Sequence, residues 1–487
     1  MYTNLKGAAY KADLIAAAAG ENYLNEALTM VVSTEMAKCA DSAGKPLVLS
    51  YSFGEIGSWM DGKLAINKFF DEFTDHGNKP GRIVCMSSGN AGLDSCSIYK
   101  ELNETNKYSL SAAVGFSENP VDVHIFNSND ADLDISYQIY NMASESEEPL
   151  KAYTMDELLK LGLLTYQKNS DHDNRTNAKV NMSFDGIDTE GLSEEELRSL
   201  FILLTVTSKD KVVCKPRLFA LSGKQSISFL NFGSPKISDG DPASAFNYFA
   251  NTNSVLSVGA WTANDKWTSY FPMGDDMPPM SILWGENMLN DIGIFSSYVA
   301  ADDNGVARPD FCAPGFGVIS GVNSYYSDYF NENGEPKEEF IFKGNPAPNF
   351  MVAGRAREEY GRQDGHNSYI TFDSGTSMSC PNAAGIIALW LQANPMLTVN
   401  QIRKIVSATA DNDEFTTASP ARFGAGKINA LAGLKYILKN FPTAIQEIEN
   451  GEPKGLEEPM VKKTMKNGQI VILNNGVEYN VFGQRIP

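Results

Sequence analysis

Histidine and cysteine are both rare in this chain, which limits the kinds of chemistry that it can support. Only 4 histidines and 6 cysteines occur among the 487 residues, and the cysteines form no Cys-x-x-Cys pair and show no regular spacing. Zinc binding and a dense disulfide framework are therefore both disfavoured. Cys85 and Cys312 stand in apolar, strand-like runs, so we predict that they are buried free thiols.

The chain also lacks long apolar runs and an excess of basic residues. The best candidate for a membrane span, residues 385–391, is far shorter than the ~20 residues that a helix needs to cross a bilayer. No signal peptide opens the sequence, because Lys6, Lys11 and Asp13 interrupt any apolar stretch. The net charge is −20, whereas a nucleic-acid partner would require clustered Lys and Arg. We therefore predict no transmembrane segment and no nucleic-acid partner.

The first 92 residues show an α/β pattern. Apolar strand-like runs at Pro46–Ser52 and Arg82–Ser87 follow predicted helices over about 22–43 and 62–75. Strands that are apolar throughout and alternate with helices are typical of a parallel sheet that is covered on both faces. The apolar fraction of 43% and the charged fraction of 21% are typical of a soluble globular protein, and the length allows two to four domains.

The pattern changes between about residues 93 and 238. Alternating or β-branched segments are separated by polar turns here, which is typical of an antiparallel sandwich or jelly roll. The predicted strands are 108–116, 121–126, 133–140, 180–184, 212–221 and 226–232. Capping boxes at Thr154-x-x-Glu157 and Ser193-x-x-Glu196 predict two short helices between them.

The α/β pattern resumes at about residue 239. Its predicted elements are strands at 253–260 and 317–320, a helix that ends at Ala393, a helix that begins at the capping box Thr398-x-x-Gln401, and a helix near 427–438. The tail is acidic at first and then predicts a β-hairpin around Asn474-Asn-Gly476. We therefore divide the chain into an α/β domain in two parts (1–92 and 239–440), an inserted β-rich domain (93–238) and a tail (441–487).

One serine is predicted where a strand turns into an apolar helix, within Asp373-Ser-Gly-Thr-Ser-Met-Ser-Cys-Pro-Asn-Ala-Ala-Gly385. Gly375 permits a tight turn, and Pro381 is tolerated only in the first turn of a helix. Ser377 thus falls near the helix N-terminus, where free N–H groups and a partial positive charge would stabilise an oxyanion. Taken alone, the segment is more often an ordinary serine N-cap.

Two other segments end predicted parallel strands, at the edge where ligands bind in α/β sheets. Ser87-Ser-Gly-Asn90 follows one strand, and Ser50-Tyr-Ser-Phe-Gly54 ends another. The side-chain amide of Asn90 can point into the crevice at that edge. Each segment taken alone is also compatible with a plain turn or a plain core strand.

Together, and in this order, these motifs resemble those of the subtilisin-like serine proteases, the subtilase family. Further matches are residues 9–15, which resemble a strand of the family, Ile294–Ser297 with Arg308–Gly315, and Gly424–Ala430. The resemblance covers roughly 1–92 and 239–440. It implies an α/β fold with a subtilisin-like parallel sheet and helices on both faces, interrupted by the inserted antiparallel, jelly-roll-like domain.

The resemblance also implies roles for particular residues. Ser377 matches the catalytic nucleophile, and Asn90 matches the amide of the oxyanion hole. By the same match, Ser52, Phe53 and Gly54 line one side of the cleft that holds an extended substrate. Ser87, Ser88 and Gly89 form one wall of the specificity pocket. Asn382 replaces the usual histidine of Ser-Met-x-x-Pro-His, which is not catalytic, so we expect little effect.

The sequence departs from the family at the two residues that activate the serine. The Asp motif and the His-Gly-Thr-His motif, which precede the serine in subtilases, do not occur. None of the four histidines is predicted to reach Ser377: His76, His124, His172 and His366. We expect the missing Asp and His to lie upstream of Met1, which would leave this chain nearly inactive on its own.

The sequence therefore predicts a serine endopeptidase that is secreted or on the cell surface and acts on polypeptides. Its partners would be the polypeptide substrate and the missing N-terminal segment of the same protease. The alternative is a pseudoprotease that serves as a peptide-binding or scaffold module. No cofactor is identified; structural calcium is common in the family, but no Asp-rich loop assigns a site.

Overall fold

The computed structural model describes most of the chain. The described residues are 7–17, 25–144, 148–264, 266–268, 281–283, 289–322, 331–332, 351–352, 369–441, 461–466, 469–474 and 477–479. Within them, no helix is both long and apolar enough to span a bilayer. All six cysteines are free thiols, and Cys85 and Cys312 are buried, as the sequence predicts.

The helices are mostly short, apart from one long helix in each part of the α/β domain. They are α1 (Glu26–Ser42), α2 (Ala65–Phe73), α3 (Met155–Lys160), α4 (Glu194–Arg198), α5 (Thr376–Ala393), α6 (Val399–Thr409), α7 (Glu414–Ala418), α8 (Pro420–Phe423) and α9 (Ala430–Asn440). The predicted capping boxes are confirmed at the N-termini of α3, α4 and α6.

The strands fall into three groups along the chain. The first strands of the α/β domain are β1 (Leu47–Tyr51) and β2 (Arg82–Ser87). The insert contains β3 (Ser97–Tyr99), β4 (Ser109–Gly115), β5 (Val121–Phe126), β6 (Leu133–Asn141), β7 (Lys151–Tyr153), β8 (Leu164–Asn169), β9 (Arg175–Met182), β10 (Leu200–Ser208), β11 (Arg217–Ser222) and β12 (Gln225–Ser226). Later strands are β13 (Leu256–Thr262), β14 (Lys266–Thr268), β15 (Ser281–Leu283), β16 (Phe311–Phe316), β17 (Val318–Val322), β18 (Met351–Val352), β19 (Tyr369–Asp373), β20 (Val461–Lys466), β21 (Gln469–Asn474) and β22 (Val477–Tyr479).

A parallel sheet with the strand order β1-β2-β13-β16 forms the centre of the α/β domain. All six residues of β2 are buried, because helices cover both faces of the sheet. Ile83 and Cys85 pack towards α5 in one core, whereas Val84 and Met86 pack towards α1 and α2 in the other. The predicted parallel sheet with helices on both faces is confirmed.

The insert consists of two antiparallel sheets around one apolar core. One sheet has the order β4-β10-β6-β7, and the other has the order β12-β11-β5-β9-β8, with β3 also paired to β11. Every second residue of β10 is buried, and both sheets contribute to the same core. The predicted antiparallel sheets are confirmed, whereas the jelly-roll character and the domain boundaries stay predictions.

Several predicted strands differ from the observed ones. The strand predicted at 226–232 is reduced to β12, because Phe229 and Leu230 donate single hydrogen bonds to Ser95 and Ala113 rather than joining a ladder. No strand forms among residues 7–17, where the family resemblance implies one, and Leu14 is 92% exposed. An apolar run becomes a strand only where a neighbour offers backbone partners. In the tail, β21 and β22 form the predicted hairpin, and β20 adds a third strand.

A buried charge network, centred on Asp61, Arg175 and Asp303, joins the insert to the α/β domain. Asp61 shares a hydrogen bond with His172 (Oδ2 to Nδ1, 2.7 Å) and accepts one from Arg175. Arg175 also donates to Asp303 (3.0 Å), and the His172 ring stacks on Trp59 at 4.4 Å. Burial alone would raise the pKa of the Asp61 carboxyl, but the bonds from His172 and from the Lys63 backbone, with the Arg175 charge, lower it. We call these residues the charged joint.

Candidate active site

Ser377 is the second residue of α5, directly after the turn that follows β19. The turn is held at its start, because the Gly375 N–H donates to the Gly315 carbonyl (2.8 Å). A Cβ on Gly315 would lie only 2.4 Å from the Ala260 Cβ, so only glycine allows this close approach. The nucleophile predicted by the family resemblance therefore lies at a helix N-terminus that is fixed against the parallel sheet.

The body of α5 anchors this serine in the core. Ala383, Ile387 and Trp390 are buried against β2, β13 and β16. The position of Ser377 is thus set by an 18-residue helix whose apolar face packs on the sheet. A nucleophile on such an element can be held in one geometry, which catalysis requires.

Pro381 lies inside α5 rather than in its first turn, so that prediction is wrong. In a regular helix the N–H of residue 381 would donate to the carbonyl of residue 377, but proline has no N–H. The Ser52 hydroxyl donates to the Ser377 carbonyl instead (2.8 Å). Because Pro381 has no N–H, the Ser377 carbonyl remains free to accept the hydrogen bond from Ser52.

Ser52 and Ser377 are paired in both directions. The Ser377 hydroxyl donates to the Ser52 carbonyl (3.2 Å), across 325 positions of sequence. The structure therefore brings the end of β1 next to the predicted nucleophile. In this arrangement the Ser377 hydroxyl is bonded to a backbone carbonyl, which is not a general base that could take its proton.

The Asn90 side chain is hydrogen-bonded to Thr376, the residue before the serine. Its Oδ1 accepts hydrogen bonds from the Thr376 backbone N–H and hydroxyl, both at 2.9 Å. The Thr376 hydroxyl also lies 3.1 Å from both the N–H and the carbonyl of Gly89. The Asn90 oxygen is held by Thr376, whereas its Nδ2 has no hydrogen-bond partner among the residues that the structure describes. This nitrogen lies 3.4 Å from where a Gly375 Cβ would be. Thr376 was not singled out by the sequence analysis, although it belongs to the Gly-Thr-Ser motif.

The predicted cleft residues divide by the exposure of their side chains. Ser52 and Gly54 are exposed, whereas Ser87 and Ser88 are only 3% and 0% exposed. The Phe53 ring is half-buried and packs on Tyr51, with ring centres 5.3 Å apart. The hydroxyl groups of Ser87 and Ser88 are therefore not accessible to a substrate in this arrangement.

Three histidines lie within the described residues, and none of them has a hydrogen bond to Ser377 there. His76 is exposed in the turn before β2, at the end of that strand opposite Asn90, and its carbonyl accepts from Asn400. His124 lies on β5 of the insert, where burial lowers its pKa. His172 belongs to the charged joint. His366 lies outside the described residues.

A buried thiol lies close to the serine along α5. Burial raises the pKa of the Cys380 thiol, three residues along α5, to about 12, so this thiol stays protonated near neutral pH. In the part of the chain that the structure describes, no group of three His, Cys, Asp or Glu side chains is placed to hold a metal ion. The site therefore combines a hydroxyl, a side-chain amide and a helix N-terminus, which suit the binding of an oxyanion.

Comparisons with known proteins identify relatives of part of the chain. Residues 231–426 match a protein-family model described as the subtilase family. A "Calcium-dependent protease" of Trichormus variabilis is 34% identical over 98 residues, which are 18% of this chain and 15% of that protein. "Serine protease AprX" of Bacillus subtilis is 41% identical over 64 residues, which are 13% of this chain and 14% of that protein. The chain thus matches only about one seventh of the length of these curated relatives.

A solved structure extends the likeness to most of the chain. The CspB protease of Clostridium perfringens superimposes with a TM-score of 0.54 at 15% identity, covering 87% of this chain and 74% of that one. At this level of identity, the match shows a shared fold. The structural likeness therefore extends well beyond residues 231–426, which match the family model.

Proposed function

We propose that this chain, which belongs to the subtilase family, carries the nucleophile and the oxyanion hole of a serine endopeptidase. Ser377 is the nucleophile, and the Asn90 side chain with the Ser377 backbone N–H binds the oxyanion. The base and its orienting acid are a histidine and an aspartate upstream of Met1. On this proposal the chain alone is nearly inactive, because loss of the triad partners costs on the order of 10⁴–10⁶ in turnover.

The observation that carries this proposal is the contact between the two predicted catalytic segments. Asn90 and Thr376 are 286 positions apart, yet two hydrogen bonds of 2.9 Å join them. These bonds orient the Asn90 amide so that its oxygen faces the helix and its nitrogen remains available as a donor. An amide in that orientation next to a helix N-terminus is what an oxyanion hole requires.

In the proposed reaction, the Ser377 hydroxyl leaves the Ser52 carbonyl and attacks the carbonyl carbon of a peptide bond. The upstream histidine takes the hydroxyl proton and later passes it to the leaving amine. The Asn90 amide and the Ser377 backbone N–H stabilise the negative oxygen of the tetrahedral intermediate. Water then hydrolyses the acyl-enzyme by the reverse order of proton transfers.

The substrate would bind as an extended strand beside Ser52, Phe53 and Gly54. The backbone of an extended peptide can add to a strand end through main-chain hydrogen bonds. A polypeptide is therefore the proposed partner, together with the upstream segment. We propose a secreted or cell-surface location, because the family resemblance implies one.

A fluorophosphonate probe tests the assignment of Ser377, because it labels a serine only when a base activates the hydroxyl. We expect no labelling of this chain, and rapid labelling of a form extended through the upstream reading frame. The control is Ser377→Ala in the extended form, which should abolish the labelling without changing the folded state.

Two results would contradict the proposal. Rapid labelling of the unextended chain would show that it contains its own base. Labelling of the extended form at a residue other than Ser377 would remove the assigned nucleophile. If the upstream reading frame contains a stop codon, the pseudoprotease alternative, in which the cleft only binds peptides, takes its place.

A further inference from the structure

Ser297, in the segment that precedes β16, lies against the loop that carries Asn90 (residues 88–92, which we call the Asn90 loop). The Ser297 N–H donates to the Gly89 carbonyl (3.0 Å), and the Ser297 hydroxyl accepts from the Ala91 N–H (2.8 Å). The serine side chain is fully buried. A single buried residue therefore holds the backbone on both sides of Asn90.

The Asn90 loop approaches this segment closely at two glycines. The φ of Gly89 is +108°, and a Cβ there would lie 2.9 Å from the Ser297 Oγ. A Cβ on Gly92 would lie 2.4 Å from the Ser296 carbonyl oxygen, and the Gly92 N–H donates to the Phe295 carbonyl (2.8 Å). A side chain at either glycine would force the two chains apart. The close contact thus depends on both segments.

The Asn90 side chain has a separate attachment. Its Oδ1 accepts from the N–H and the hydroxyl of Thr376, both at 2.9 Å. Thr376 therefore fixes the amide oxygen, whereas Ser297 fixes the backbone from which the side chain extends. Because the amide group is planar, these two attachments together leave one direction for the Nδ2 atom. That direction matters, because a hydrogen bond weakens steeply as its donor turns away from the acceptor.

The segment that carries Ser297 is itself held by two rigid elements. The Arg422 Nη2 in α8 donates to the Ile294 carbonyl (2.7 Å) and lies 3.4 Å from the Ser296 carbonyl oxygen. The Ser296 hydroxyl accepts from the Ala260 N–H in β13 (3.0 Å). Ser297 thus has the fixed support that a group needs if it is to orient a second group precisely.

We propose that Ser297 is a positioning residue for the oxyanion hole. Its hydroxyl and its N–H hold the backbone at Ala91 and Gly89, so that the Asn90 amide nitrogen points to where the oxyanion forms. This inference rests on the proposed function, because it takes Asn90 as the donor to that oxyanion. Since the negative oxygen exists only beyond the ground state, the role of Ser297 lies in kcat and not in KM.

Hydrogen exchange tests the attachment in the unextended chain, without any substrate. We expect the Ala91 amide to exchange at least tenfold faster in Ser297→Ala than in the unchanged chain. Ser296→Ala is the matched control: this neighbouring serine is equally buried and also accepts from a backbone N–H, but its bond joins β13. It should leave the exchange of Ala91 unchanged. Unchanged exchange in folded Ser297→Ala, checked by circular dichroism, would overturn the role of the hydroxyl.

Kinetics of the upstream-extended form test the effect on catalysis. We expect Ser297→Ala to lower kcat about tenfold and to change KM by less than twofold, because a slightly misplaced donor acts on the transition state. Ser296→Ala should keep kcat within twofold. Ser297→Cys has nearly the same shape and a weaker acceptor, so we expect an intermediate loss of about threefold, and it carries the test if the alanine variant does not fold.

A double-mutant cycle distinguishes positioning from a general loss of structure. Asn90→Asp has no amide donor left to position, so adding Ser297→Ala should lower kcat by less than twofold in that background. An equal effect in both backgrounds, or full kcat in the Ser297 variants, would overturn this inference while the proposed function stands. Full kcat in Asn90→Asp, or an extended form that hydrolyses no peptide bond, would overturn the proposed function and this inference with it.

Discussion

Two polar clusters join distant parts of this chain, and they differ in charge and in exposure. The charged joint contains ionised side chains that are almost fully buried, with Asp61 and Arg175 only 3% and 9% exposed at their side chains. The candidate active site is built from neutral hydroxyl and amide groups, and Ser52 and Asn90 are exposed there. The first cluster joins the insert to the α/β domain, whereas the second leaves donors available to a ligand.

This difference follows from the cost of removing groups from water. A buried charge is tolerated only if partners saturate it, so the joint has little capacity left to bind anything else. A neutral site at the surface costs little to leave partly unpaired, because water replaces the missing partner until a substrate arrives. Dense pairing therefore indicates a structural role here, and spare donors indicate a functional one.

The largest effect is expected at the charged joint. Asp61→Ala should lower the free energy of unfolding by about 3–5 kcal/mol, because it leaves Arg175 buried without one of its carboxylate partners. Asp132→Ala is the matched control: its ion pair with Lys168 is about half exposed, and its loss should cost about 0–1 kcal/mol. Urea unfolding measures both, and equal losses would remove the contrast between buried and exposed pairs.

The next effect concerns the oxyanion hole. Asn90→Asp keeps the oxygen that accepts from Thr376 but replaces the amide donor, so the fold should persist. In the upstream-extended form we expect kcat to fall about 10²–10³-fold, the usual effect of losing one such donor. Asn382→Ala provides the control on α5, since that amide donates to the Pro314 carbonyl rather than to Thr376 or Asn90. Retention of full activity by Asn90→Asp would separate Asn90 from the chemistry.

The joint should also respond to acid. The folded-state pKa of Asp61 is lowered, so its stabilising contribution is complete above the unfolded pKa of about 3.8 and is lost as the pH falls through the lower, folded value. Asp61→Asn removes this dependence. We expect the stability difference between the unchanged chain and Asp61→Asn to be constant from pH 7 to about 5 and to shrink below about 4. A difference that grew on acidification would reverse the assigned sign.

The smallest effect is expected for the serine pair. Ser52→Ala should cost about 0.5–1.5 kcal/mol of stability, because the Ser377 carbonyl loses its donor. In the background of Pro381→Ala, whose restored N–H can donate to that carbonyl, the same change should cost less. A double-mutant cycle measures this coupling, and additive effects would show that Pro381 and Ser52 act independently.

Local patterns predicted much of the α/β domain. The capping box at Thr398 starts α6, the buried run Arg82–Ser87 forms β2, and α5 ends at Ala393. The contact between the Asn90 and Ser377 segments could be anticipated only through the family resemblance, which the match over residues 231–426 supports. The assigned roles of these residues remain predictions.

The misplaced elements have physical explanations of their own. Residues 9–15 resemble a strand of the family but form none in the structure. A strand depends on a partner elsewhere in the fold. Pro381 was predicted in a first turn from its missing N–H alone. The structure supplies a hydroxyl from Ser52 to the carbonyl that this proline leaves free, which no local pattern could indicate.

The sequence by itself determined where helices start, which strands are buried on both faces, and which family the motifs resemble. These features depend on side chains within a few positions of one another, so their periods and caps are readable along the chain. Only the tertiary structure decided that Ser52 pairs with Ser377, that Ser297 holds the Asn90 loop, and that Asp61 meets His172. Each of these contacts joins residues more than 100 positions apart, and the path of the folded chain alone brings such residues together.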